Sequence, residues 1–175
     1  MLFRSQLQER KLDAQYVTML MAVWNDEART LDLANAGSVQ PLYVKNITAQ
    51  KSVASGKSVE AKAAPATDPG CIVSVSTIQA EGFPLGLFPK AEYEEFSIEM
   101  KPGDMVVFFS DGIPDALNTK GEMFGTERLE AVLHEERLAG CSAQVTVDAI
   151  LKAVAAFQAG TAHFDDETLV VLRVL

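Results

Sequence analysis

The period of apolar and polar positions changes several times along the chain, and each change marks an element. Over residues 15–24, Val17, Met19, Met21 and Val23 fall on one side of an extended chain and Tyr16, Leu20, Ala22 and Trp24 on the other. Apolar groups on both sides predict a strand covered on both faces, with Trp24 in the core. Asn25-Asp26-Glu27 reads as a turn. Leu31, Leu33 and Asn35 then alternate with Thr30, Asp32 and Ala34, which predicts a half-buried second strand paired with the first as a hairpin. Further strands are predicted over 41–47, 71–78, 93–100 and 105–110, and a last one over 168–175. A turn over 101–104 leads into the apolar run Met105-Val106-Val107-Phe108-Phe109, the predicted central strand.

Helical spacing replaces strand alternation in three places. Leu2, Phe3, Leu7 and Leu12 read as the end of an amphipathic helix, and since no N-cap precedes them, as the remnant of a longer one. Phe124, Leu129, Val132 and Leu133 predict a second helix, and Val145, Val147, Ile150, Leu151, Val154 and Phe157 a third. His134 falls on the surface of the second. Between 48 and 70 the residues are mostly Ala, Ser, Lys, Thr and Pro, which predicts a flexible loop inside one domain spanning 1–175. Residues 82–89 read as a rigid, turn-rich segment in which Phe83 and Phe88 pack, as do the methionines. Strands first, then helices, then one strand predict an α+β fold with antiparallel sheets.

Composition narrows the function classes. Apolar residues make up 48% and charged residues 22% of 175, an ordinary globular mixture. No apolar run approaches the roughly 20 residues that span a bilayer, and Arg4, Glu9, Arg10 and Lys11 break up any leader-like core. The net charge of −9 repels nucleic acid and anionic membranes, so a cytoplasmic protein acting on proteins or small molecules is expected. Cys71 and Cys141 lack both a disulfide framework and metal-site spacing, and read as free thiols.

Two acidic spots stand at strand ends. Asp111 follows the central strand and precedes Gly112; Asp165 and Asp166 precede the last strand. Carboxylates fixed at a sheet edge are hard ligands suited to Mg²⁺ or Mn²⁺. Asp-Gly is equally an ordinary turn dipeptide, and Asp-Asp before a strand equally a solvated loop. A calcium loop starting at Asp111 puts Asp115 and Glu122 in phase, but Ile113 replaces a ligand and Ala116 the required glycine. His163, near Asp165, reads as a loop histidine.

Several phrases, in order, carry a resemblance. They are Tyr16-Val17-Thr18-Met19, Ala34-Asn35-Ala36-Gly37, Pro84-Leu85-Gly86-Leu87, Lys101-Pro102-Gly103-Asp104, Ser110-Asp111-Gly112-Ile113, Gly121-Glu122-Met123-Phe124-Gly125 and Asp165-Asp166-Glu167-Thr168-Leu169-Val170-Val171-Leu172. From about residue 15 to its end, the chain resembles the C-terminal part of the phosphatase domain of the SpoIIE-like (RsbU-like) branch of the protein phosphatase 2C (PPM) superfamily. That resemblance implies a sandwich of two antiparallel sheets flanked by helices, N-terminally incomplete here, with two Mn or Mg ions in a carboxylate-lined cleft. It implies that Asp111 and Asp165 are metal ligands, that Asp166 and Asp115 are ligands or lie beside the metal waters, and that Gly112 shapes the site. It further implies hydrolysis of phosphoserine or phosphothreonine on a regulatory protein such as an anti-sigma-factor antagonist.

Two departures from the family pattern matter. The family's bridging aspartate, in a Gly-Asp motif upstream, has no counterpart in these 175 residues; Gly103-Asp104 matches a different motif. Ser38 stands where the family usually has His. Without the bridging carboxylate two metals cannot be held about 3.5–4 Å apart, so this chain alone is expected to be inactive. Open sheet edges are expected to favour pairing with a second copy. The competing readings are a non-catalytic regulatory or protein-binding module with a degenerate phosphatase fold, and a generic metal-binding scaffold that fits the acidic strand ends alone. A Gly-Asp motif encoded upstream would favour the enzyme.

Overall fold

The computed structural model describes residues 16–47, 73–88, 90–135, 142–161 and 165–175. The expected helix over 1–12, the loop over 48–70, Cys71, Cys141 and His163 lie outside them. The chain divides into two compact units, one from Met1–Gln40 with Thr77–Met100, the other from Pro41–Ser76 with Lys101–Leu175.

The first unit is built on a hairpin. Strand β1 (Met19–Asn25) pairs antiparallel with β2 (Thr30–Ala36), from Met19 opposite Ala36 to Asn25 opposite Thr30. Asn25 makes the turn, its Oδ1 accepting the N–H of Glu27 at 3.1 Å and of Ala28 at 3.0 Å. Leu31 and Leu33 are buried while Asp32 is exposed, the alternation the sequence predicts. A short strand, Phe96–Glu99, pairs with the other side of β2, leaving β1 at the edge.

The expectation that β1 is covered on both faces is corrected. Met21 and Val23 are each 58% exposed, and only Leu20 and Trp24 are half-buried. Trp24 is therefore not a core residue; its Nε1 donates to Asp26 Oδ1 at 3.3 Å. Phe83 and Phe88, expected to pack inside, are exposed. Of the methionines, Met100 and Met105 are core, whereas Met19, Met21 and Met123 are exposed.

The second unit holds a four-stranded sheet. Numbered in chain order, its strands are β3 (Leu42–Asn46), β4 (Val73–Thr77), β6 (Met105–Phe109) and β7 (Leu169–Arg173), β5 being Phe96–Glu99 of the first unit. The order across the sheet is β4-β3-β6-β7. Both β3 and β7 run antiparallel to β6, with Leu42 opposite Val107 and Phe109 opposite Leu169. Two helices follow β6: α1 (Gly125–Leu133) and α2 (Ala143–Gln158). Ser142 caps α2, its side chain accepting the Val145 N–H. Thr146, Ile150, Val154 and Gln158, four residues apart, are its buried face. Ile150 and Val154 join Leu42, Val44, Met105, Val107, Leu129 and Leu133 in one core. Thr146 satisfies its buried hydroxyl on the Met105 sulfur at 3.7 Å. Phe124 meets Phe157 edge-on at 5.4 Å, and the Arg128 guanidinium lies 4.8 Å from the Phe157 ring centre. His134 is exposed at the C-terminus of α1, as expected.

Two antiparallel sheets and two helices place the chain in the expected α+β class. Among the described residues no helix is long and apolar enough to cross a membrane.

Candidate functional site

The central strand β6 is anchored at its entry and leads at its exit into the loop that carries Asp111. At the entry Asp104 is 1% exposed. Its carboxylate accepts from Tyr43 Oη at 2.6 Å and from the N–H groups of Asn46 and Lys101, both at 2.8 Å. With its oxygens occupied by protein donors, Asp104 serves the fold.

At the exit, Ser110 joins two loops. Its N–H donates to the Thr168 carbonyl at 3.0 Å, its Oγ donates to the Asp166 carbonyl at 2.9 Å, and its Oγ accepts the Thr168 N–H at 2.9 Å. Gly112 lies so close that a Cβ there would sit 2.5 Å from the Asp166 carbonyl oxygen. The loop after β6, which carries Asp111, and the loop before β7, which carries Asp165 and Asp166, are thereby held backbone to backbone. Losing the Ser110 hydroxyl removes two of these bonds, so Ser110→Ala should cost about 1–3 kcal/mol. Thermal unfolding measures the loss, and an unchanged melting temperature would show that Ser110 does not join the loops.

The segment between Asp111 and α1 is tied to itself. The Asp115 N–H donates to the Asp111 carbonyl at 2.9 Å, which puts Asp115 one turn beyond it. Ile113 and Ala116 are buried in the core of this unit. This explains why the calcium-loop spacing fails: the position that would carry a ligand is a core plug. Asn118 Oδ1 accepts the N–H groups of Lys120 at 2.9 Å and Glu122 at 3.0 Å, closing a small turn. The Phe124 N–H then returns to the Ala116 carbonyl at 2.8 Å.

The four predicted aspartates, Asp111, Asp115, Asp165 and Asp166, are all exposed. Asp115, Asp165 and Glu167 share with Gly112, Leu117 and Met123 the wall of a cavity of about 230 Å³; Asp111 and Asp166 lie outside that wall. Asp165 Oδ1 accepts the Asp166 N–H at 2.8 Å. Gln158, the last buried residue of α2, donates to Glu167 Oε1 at 3.0 Å and so braces the loop that carries Asp165. Sequence reasoning missed Ser110 and Gln158 as supports. The available signal for Gln158 was a polar residue continuing the stripe Thr146, Ile150, Val154 at four-residue spacing.

The donor set suits a hard divalent cation: exposed carboxylates on two bonded loops, with no basic side chain in the cavity wall. Its count falls short. Among the described residues no three His, Cys, Asp or Glu side chains converge as a metal-holding group.

Comparison with known proteins agrees with this arrangement of elements. Residues 69–175, more than half of the chain, match the SpoIIE family (Stage II sporulation protein E). Phosphoserine phosphatase RsbU of Bacillus subtilis is 32% identical over 96 residues, which is 55% of this chain and 28% of that protein. The chain spans under a third of the length of the curated relatives it matches. Among solved structures, the SiaA-PP2C domain of Pseudomonas aeruginosa matches with a TM-score of 0.65 at 19% identity, over 96% of this chain and 56% of that one. The PP2C phosphatase domain of SpoIIE from Bacillus subtilis, with a fragment of its regulatory domain, matches with a TM-score of 0.63 at 20% identity, over 98% of this chain and 42% of that one. At such identities the likeness concerns the fold. The family match reaches further: the chain belongs to the SpoIIE family and has the fold of PP2C-type phosphatase domains.

Proposed function

We propose that the chain serves hydrolysis of phosphoserine or phosphothreonine on a regulatory protein in the cytoplasm, of the anti-sigma-factor-antagonist kind, with Mn or Mg held by Asp111 and Asp165. The observation that carries this reading is the Ser110–Thr168 junction, which brings together two carboxylate-bearing loops 58 residues apart in sequence. The name of the relative, a phosphoserine phosphatase, supplies the substrate class. A bound divalent ion would supply a positive charge for phosphoryl oxygens and a water acidic enough to attack. The chain's own residues would do the rest. Asp111 and Asp165 would hold the ion, Asp115 and Asp166 would orient its waters, and Gly112 would let the loops close. Cys71 and Cys141 have no part in such a direct attack.

A second reading has its own support. Because no three-carboxylate group forms among the described residues, these 175 residues fit a module that recognises a partner without turning it over. The exposed, uncharged edge of β1 supports pairing with a second copy in either case. Calorimetric titration of manganese, with a phosphopeptide hydrolysis assay beside it, separates the readings. Binding with a Kd on the order of 1 mM is expected, weakened about tenfold in Asp111→Asn and Asp165→Asn, with no turnover by this chain alone. Binding indifferent to both substitutions would remove the metal reading; robust turnover would remove the claim of inactivity.

A further inference from the structure

The first unit carries a surface that the phosphatase reading does not use. Phe83 is 57% and Phe88 48% exposed, and their rings meet edge-on with centroids 4.9 Å apart. A paired, half-exposed set of aromatic rings is the composition of a binding hot spot rather than of ordinary surface. The rings line an open cavity of about 740 Å³ with Lys90 and Glu92. A second cavity of about 560 Å³ shares Phe83 and Glu92 with the first and adds Glu81 and Glu94. The two cavities meet at the shared Phe83 and Glu92, and this groove is lined by the aromatic pair and by three glutamates against one lysine.

The groove is also preorganised. Leu85, between the two rings in sequence, exchanges both backbone hydrogen bonds with Val17, at 3.0 and 2.8 Å. Asn35, buried, donates from Nδ2 to the carbonyls of Ser38 and Ala80 at 2.9 Å each, and its Oδ1 accepts the Ser38 N–H at 2.8 Å. Gly82 lies so tightly on Asn35 that a Cβ would meet its carbonyl oxygen at 2.0 Å. A platform fixed in this way loses little conformational entropy when a ligand lands on it.

We infer that this groove docks a basic segment of a partner protein, an apolar side chain seated on Phe83 and Phe88 and flanking Lys or Arg facing Glu81, Glu92 and Glu94. Charge complementarity selects the occupant. An acidic segment meets the glutamates unfavourably, a neutral one gains no attraction from them, and a second copy of this chain, itself at −9, would bring the same carboxylates against them. The inference is independent of metal binding and of turnover.

The test titrates a fluorescein-labelled peptide, Gly-Lys-Arg-Phe-Leu-Lys-Arg-Gly, into the 175-residue chain and follows anisotropy. Saturable binding with a Kd on the order of 10–100 μM is expected, weakening as salt rises. Phe83→Ser should weaken it about tenfold and Glu92→Lys about fivefold. Both side chains are exposed, so melting temperatures should stay within about 2 °C of the parent. A peptide with Glu for Lys and Arg should not bind, and one with Gly-Ser for Phe-Leu should bind about tenfold more weakly. Absence of saturable binding, equal binding to both variants, or equal binding of the Gly-Ser peptide would each overturn the inference. So would light scattering showing a dimer that Phe83→Ser or Glu92→Lys dissolves, since a second copy would then be the occupant.

Discussion

Replacing Asp104 with alanine will destabilise the chain by about 3 kcal/mol and lower its melting temperature by about 6–12 °C. Asp104 is 1% exposed and its carboxylate accepts three hydrogen bonds, from Tyr43, Asn46 and Lys101. Alanine leaves all three donors without that acceptor, each costing about 1–3 kcal/mol where water cannot replace it. Lys101 is exposed and Tyr43 and Asn46 are only half-buried, so water recovers part of the sum. Release from the cost of burying a charge recovers more, which places the net near the lower end. Tyr43→Phe removes one donor and should cost about 1 kcal/mol. A melting temperature for Asp104→Ala within 2 °C of the parent would mean that desolvation of the carboxylate cancels its bonds. The effect is structural but bears on the site, because Asp104 sets the entry of the strand whose exit carries Asp111.

How much of this was legible depended on whether the deciding contact was local. The alternation of Leu31 and Leu33 with Asp32 fixes which face of β2 is buried, because that choice is made within three residues. The turn at Asn25 is equally local. In β1 the apolar residues of both faces invited the same inference, and it failed for Met21 and Val23. Residue type states what a face could be buried against; whether chain lies across it is a non-local fact that no period encodes. Phe83 and Phe88 failed for the same reason: apolarity implies burial only where chain covers the side chain, and both rings are exposed. The candidate site lies between these cases. Asp111 and Asp165 were each visible as carboxylates at strand ends, but their relation depends on pairing between β6 and β7, remote in sequence, and on a serine hydroxyl. Only the ordered family phrases linked them in advance. The core role of Ile113 beside Asp111 was visible just as a misfit to the calcium pattern.

The dependence of the site on that junction leads to the second large effect, at Gly112. Alanine there places a Cβ 2.5 Å from the carbonyl oxygen and 3.0 Å from the carbonyl carbon of Asp166, which are backbone atoms that no rotamer change can move aside. The loops must separate, and the bonds from Ser110 Oγ to Asp166 and from the Thr168 N–H to Ser110 Oγ stretch first. Gly112→Ala should therefore cost about 2–4 kcal/mol and weaken manganese binding at least about tenfold. Gly121→Ala is the informative comparison. Its φ of +77° strains any side chain, yet nothing lies within 4 Å of its Cβ, so it should cost about 1 kcal/mol and leave metal binding alone. Amide exchange at Thr168 reads the junction directly: its protection should fall in Gly112→Ala and persist in Gly121→Ala. If Thr168 stays as protected in Gly112→Ala as in the parent, the chain absorbs the methyl group elsewhere. The glycine would then be a feature of the turn, and the closeness of the two acidic loops would rest on β6–β7 pairing alone.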